Sequence, residues 1–155
     1  MTMGLVVGLL LYTHIVAQAL WVGGLFGYVL IVWPAIMHDA DGAFPRSVLA
    51  QVAIRTGPWI YLAMGSALVS YLVLCALGAL AVPAGGLVAY GLLLSVLVGN
   101  NVYGTVTAWP RIMLLPRAQA SAEWAWFRVR MAAALGLGLA SFSGAVAYLL
   151  RQTVG

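Results

Sequence analysis

A chain of 155 residues that is 65% hydrophobic and only 6% charged, with a mean hydropathy of +1.07, has the composition of neither a soluble domain nor a disordered one. Seven arginines, no lysine and three acids give a net charge of +4. In so apolar a chain that bias reads as membrane topology and lipid headgroups, and no nucleic-acid partner is expected. Cys75 is alone, which excludes an intrachain disulfide.

The expected fold is all-α: an integral membrane bundle of four transmembrane helices, one membrane domain over residues 1–155. Four spans of about 20 residues each use most of the chain. The first apolar stretch has no basic region before it and outruns the hydrophobic part of a signal peptide, so a retained first helix is expected. Span one is predicted over about 4–37. At ~1.5 Å per residue it would reach about 50 Å, more than the ~30 Å hydrocarbon layer needs, so it must tilt, kink or protrude. Spans two, three and four are predicted over about 59–80, 87–109 and 127–150. The prolines at 34, 45, 58, 83, 110 and 116 fall near these ends or in loops, where a missing N–H does least harm.

Arginines orient the spans. Arg46 and Arg55 flank the first loop, and Arg111, Arg117, Arg128 and Arg130 flank the third. The second loop has none, and Arg151 stands alone near the C-terminus. The positive-inside rule then makes loops one and three cytoplasmic and both termini periplasmic, as in a bacterial inner membrane. Trp33, Trp59, Trp109, Trp124 and Trp126 gather at the same arginine-bearing ends, where an interfacial belt belongs.

Two short stretches are alike. Trp33-Pro34-Ala35-Ile36-Met37 closes span one and Trp109-Pro110-Arg111-Ile112-Met113 closes span three, as a 2+2 parallel repeat would require. The 76-residue offset sets Tyr90 against His14. Small residues recur every fourth position at Ala132, Gly136, Ala140 and Gly144, at Gly91, Ser95 and Gly99, and at Gly23 and Gly27. Such stripes let helices pack closely, within the bundle or in a homo-oligomer.

His14 is the titratable group most out of place, set in the apolar first span, and an ionisable residue there points to function. His14, Gln18 and Trp21 are spaced i, i+4, i+7 and share one helical face, which Tyr28 continues. On span three, Tyr90, Leu94, Leu97, Asn101 and Thr105 share another, with Asn100, Tyr103 and Thr107 beside it. Spans two and four add Ser66, Ser70, Ser141 and Tyr148. Polar groups in hydrocarbon need partners, so these faces should point inward. His14 is then either hydrogen-bonded structure, a ligand to haem iron or copper, or a proton-handling group. A haem on His14 has no second histidine on another span. Its other axial position falls to Met64, Tyr90, an open site or a second protomer.

Met37-His38-Asp39-Ala40-Asp41 offers nitrogen and oxygen donors, and Met37 and Met113 suit Cu(I), although a polar helix cap explains the stretch as well. Arg128 and Arg130, beside Glu123, Trp124 and Trp126, read as interfacial anchors or as a clamp for lipid phosphate. No nucleophile triad, phosphate loop, CxxC or HExxH pattern is present.

A histidine seven residues before Trp21-Val22-Gly23-Gly24 resembles the opening helix of the copper-resistance D (CopD) domain. That likeness covers roughly 10–37. The wider four-helix plan is similar to that of the HemJ-type protoporphyrinogen oxidases, which bind b-type haem. The resemblance implies an inner-membrane protein in copper handling or membrane redox chemistry. The HemJ-type intramembrane lysine on span three is replaced here by Asn100 and Asn101, which weighs against porphyrinogen oxidation.

The expectation is a membrane protein that binds haem b or copper through His14, with Gln18, Trp21, Tyr90 and Asn101 lining the cofactor site. Its partners would be the lipid bilayer, further copies of itself and a larger membrane redox or metal-handling complex. The alternatives are a transporter for copper or a small solute, and a non-catalytic subunit or assembly factor.

Overall fold

The computed structural model describes residues 3–34, 46–115 and 117–154. His38, Asp39 and Asp41 lie outside these residues, as does Met37. The described chain is helical throughout, apart from short connections. Helix α1 is Met3–Gly27 and continues through a π-helical turn at Tyr28–Val32. Helix α2 is Arg46–Ala76. Helix α3 is Ala84–Tyr103, followed by a second π-helical turn at Gly104–Ala108 and the short α4, Trp109–Leu114. Helix α5 is Arg117–Val154. Four stretches are long and apolar enough to cross a membrane: Met3–Val32, Ala50–Ala76, Ala84–Leu114 and Ala122–Arg151. The fold is therefore the expected all-α four-span membrane bundle.

The bundle's surface is as apolar as its interior. Leu20 is 65% exposed, Val106 69% and Trp59 72%. Water would drive such side chains together, but hydrocarbon leaves them where they are. The core is formed by Trp21, Val22, Leu25, Met64, Leu94 and Leu97, with Trp124 and Ile112 toward one end.

The helices exceed the predicted spans. Helix α2 starts well before Trp59 and runs through Pro58, and α5 starts ten residues before Phe127. Hydropathy marks only the lipid-immersed length; backbone hydrogen bonding carries a helix on past the interface. The turn between α2 and α3 is set by one glycine. Gly78 adopts φ +60, its N–H donates to Cys75 O at 3.0 Å, and Ala79 N–H donates to Leu74 O at 3.1 Å. This is a Schellman closure, and its left-handed residue is best supplied by glycine.

The two hairpins, α1–α2 and α3–α5, carry matching features. Each π turn directly precedes a Trp-Pro pair, Trp33-Pro34 in one half and Trp109-Pro110 in the other. The turns themselves are separated by the 76 residues that separate His14 from Tyr90. A π turn inserts one residue into the helical ladder and is uncommon, so two at matching places extend the likeness of the Trp-Pro pairs.

The small-residue stripes do not pack as a group. Ala132, Gly136, Ala140 and Gly144 are all exposed, Gly144 on the wall of a cavity at the end that carries the chain termini, and a Cβ added at Gly136 or Gly144 would meet nothing within 4 Å. Close approaches are made by Gly138 on α5, outside that stripe, and by Gly91, a member of the stripe on α3. Gly138 would bring a Cβ to 3.2 Å from Val22, and Gly91 would bring one to 3.1 Å from the Tyr71 hydroxyl. A four-residue spacing puts residues on one face without saying which way that face points.

Candidate functional site

The face of α1 that carries His14 turns inward, as its spacing requires. His14 is 4% exposed, Gln18 1% and Trp21 2%. His14 is held at both nitrogens. Nδ1 lies 2.8 Å from the Ala67 carbonyl and 3.2 Å from the Ser70 hydroxyl on α2. A carbonyl only accepts, so Nδ1 carries the proton. The Ser70 hydroxyl donates to Ser66 O at 2.6 Å, which leaves its lone pairs toward the imidazole. The tautomer is thereby fixed, with the lone pair on Nε2.

Nε2 faces α3, where the Tyr90 hydroxyl lies at 2.8 Å. Gln18, one turn along α1, donates one amide N–H to Nε2 at 3.0 Å and also donates to the Tyr90 hydroxyl. Its carbonyl receives a long contact from the Ser141 hydroxyl on α5, at 3.5 Å. All four spans thus contribute to one buried polar cluster. In hydrocarbon each of these groups would otherwise lack a partner, so the cluster fixes the helices' mutual rotation.

Beside the cluster lies a cavity of about 420 Å³ at the end of the bundle that carries the chain termini. It is mostly apolar, with Leu11, Ile15, Leu74 and Leu87 among its walls. Its polar features are His14, the phenols of Tyr71, Tyr90 and Tyr148, and Arg151. Tyr148 also accepts the Ala81 backbone N–H at 3.0 Å, tying the loop between α2 and α3 to α5. The volume falls in the ~300–1,000 Å³ range of small-molecule sites.

The predicted site residues divide. His14, Gln18 and Tyr90 come together. Trp21 packs into the core beneath them with no partner for its indole N–H, and does not line the cavity. Asn101 lies toward the opposite end, where it borders a separate cavity of about 110 Å³. Met64 is core, away from the His14 cavity. Arg128 stacks on Trp33 at 5.2 Å, and Arg130 lies over Tyr103 at 4.1 Å and donates to Asn100 Oδ1 at 2.9 Å; both are at the tryptophan-rich end. Ala67, Tyr71 and Arg151 join the site without having been singled out for it. A backbone carbonyl leaves no mark in a sequence, but Arg151, the cation nearest the chain end on the His14 side, could have been found from topology alone.

The donor set separates two kinds of metal centre. Among the described residues no three His, Cys, Asp or Glu side chains gather where they could hold an ion. The cavity wall offers one imidazole and no thioether or thiolate, so copper, which wants several such ligands, fits poorly. Haem needs less from the protein: one axial imidazole, apolar walls and a cation for its carboxylates, all of which border this cavity. No family model, curated protein or solved structure matches the chain.

Proposed function

We propose that the protein is a bacterial inner-membrane protein, with both termini periplasmic, that binds haem b in the cavity beside His14. One observation carries this reading. The Nδ1 proton of His14 is fixed on the Ala67 carbonyl, which leaves the lone pair on Nε2, where Tyr90 and Gln18 hold it, in the wall of an apolar cavity that also carries Arg151. A backbone carbonyl on the far nitrogen is the usual means of orienting a metal-binding imidazole. His14 would be the axial ligand, Arg151 the partner of a carboxylate group, and Leu74 and Leu87 part of the water-excluding wall. Tyr90 and Gln18 hold Nε2 until the ligand arrives and must turn aside to release it. Bound haem would supply one-electron transfer.

The arginine and tryptophan distribution supports the orientation, which would put the cavity on the periplasmic side. The outward residues Ala132, Gly136 and Ala140 support a homo-oligomer. Replacing Gly136 by Leu and measuring mass in detergent tests that point: a wild-type protein that is already monomeric removes it.

The test of the main reading is spectroscopic. The protein purified in mild detergent should show a haem Soret band, or acquire one on titration with hemin. His14→Ala should lose it, while Tyr90→Phe should keep it. A colourless preparation that takes up no hemin overturns the proposal.

A carrier for a small solute has one observation in its favour. The His14 cavity and the Asn101 cavity lie toward opposite ends of the bundle, with Trp21, Leu25, Leu94 and Leu97 buried in the core between the two polar faces. Uptake into proteoliposomes that is lost in His14→Ala would favour this reading over haem binding.

A further inference from the structure

The Asn101 cavity has a feature that the haem reading does not use. Its walls come from all four spans and include both π turns, through Tyr28 in one and Gly104 and Thr105 in the other. Leu25 and Asn101 face it as repeat-related residues, as do Tyr28 and Gly104. The cavity therefore sits between the two halves of the duplication, where membrane proteins built from repeats place their binding sites. Helix irregularities at matching positions of the two halves point the same way.

The Asn101 side-chain Nδ2 is buried and has no hydrogen-bond partner. The reason is visible in the repeat: the position facing Asn101 is Leu25, which is 1% exposed and offers no acceptor. An amide nitrogen left bare in a bilayer loses the full strength of its hydrogen bonds, since no bulk water reaches it. The about 110 Å³ beside it is room for roughly three molecules of water at ~30 Å³ each.

We propose that this cavity is a second binding site, one that holds a hydrogen-bonding oxygen against the Asn101 amide. The oxygen belongs to bound water or to the hydroxyl or carbonyl of a small neutral solute. No arginine is among the residues that line this cavity, and Arg130 is engaged by Asn100 and Tyr103, so nothing in the lining selects an anion. The site is independent of the haem reading, because it lies away from the His14 cavity.

Hydroxyl-radical footprinting of the full-length protein in detergent tests it, because radicals form from water bound inside a protein. Met131 and Met64 make an internal comparison. They are 8% and 6% exposed, but Met131 lines the cavity and Met64 lines neither it nor the His14 cavity. Met131 should oxidise several-fold faster than Met64, and Asn101→Leu should abolish the difference while leaving the melting temperature nearly unchanged. Because glycerol scavenges radicals throughout the sample, the ratio of Met131 to Met64 oxidation is read: a ratio lowered by glycerol assigns the oxygen to a solute, and an unchanged ratio assigns it to water; both support the site. Equal oxidation of the two methionines in the wild type overturns it. So does a marked rise in melting temperature in Asn101→Leu, the result expected if the amide sits dry and unsatisfied. Should Asn101→Leu fail to fold, the wild-type comparison still decides.

Discussion

The Tyr90 hydroxyl meets Nε2 of His14 at 2.8 Å, and the two residues are 76 positions apart, the interval that also separates the two π turns. The contact joins the first hairpin to the second. His14 supplies the acceptor and Tyr90 the donor. One turn along the same face Gln18 is matched by Leu94, and farther along Leu25 is matched by Asn101. Polarity is thus divided between the halves, with the first half polar at the termini end and the second polar toward the tryptophan end.

Removing the Tyr90 hydroxyl tests the polar cluster without creating a large cavity. Tyr90→Phe deprives Nε2 of its donor and Gln18 of an acceptor, but leaves Gln18 free to serve Nε2 alone. The cost should be about 0.5–1.5 kcal/mol, the scale of hydrogen bonds between membrane helices. Unfolding in mixed micelles by SDS titration reads it. A loss above about 3 kcal/mol would mean that the cluster acts as one cooperative unit rather than as separable bonds.

Gly91 and Gly136 look alike in sequence and should respond in opposite ways. A Cβ at Gly91 lands 3.1 Å from the Tyr71 hydroxyl, which donates to Leu87 O across the α2–α3 turn. Gly91→Val must push that ring aside, at a cost of about 1–3 kcal/mol. Gly136→Val meets nothing within 4 Å and should leave a monomer's stability within about 0.5 kcal/mol of wild type. The same SDS titration compares the two, and similar losses would contradict the packing described here.

Sequence carries the architecture because a bilayer imposes it. Length, hydropathy and the arginine and tryptophan ends are each enough to set four spans. The shared face of His14, Gln18 and Trp21 was equally legible, since helical periodicity fixes which residues share a side. What periodicity cannot give is depth along the axis relative to other helices. For that reason the sequence sets Trp21 and Asn101 beside His14, whereas the structure places one in the core and the other near the far end. The stripe from Ala132 to Gly144 does not pack within the bundle, which sequence misses for a related reason: small residues fit a tight interface, and spacing alone does not say whether that interface is inside one chain or between copies. The Ala67 carbonyl, which fixes the imidazole, is invisible at the level of residue type.

The tryptophan-rich end is an aromatic stack whose coupling is measurable. Trp33 and Trp124 lie with ring centroids 4.0 Å apart at 27°, and Phe127 stacks on Trp124 at 5.8 Å. These rings join the last turn of span one to the first turns of α5. A double-mutant cycle with Trp33→Leu and Trp124→Leu should return a coupling of about 0.5–1.5 kcal/mol beyond the burial each ring loses. Additive losses would show that the two rings pack independently.

Arg151 sits at the His14 cavity, whereas Arg128 and Arg130 are engaged at the other end with Trp33, Tyr103 and Asn100. An anionic group on a ligand bound at His14 therefore has one described arginine within the same cavity. Arg151→Gln keeps a polar amide donor on a shorter side chain but removes the charge. It should weaken hemin binding about tenfold, equivalent to about 1.4 kcal/mol, with a larger loss at low ionic strength than at high. Arg128→Gln should leave hemin affinity unchanged. Titrating hemin into both variants and following the Soret band makes the comparison. Equal weakening by the two would mean that the arginines act through the protein's overall charge, and that Arg151 has no direct contact with the ligand.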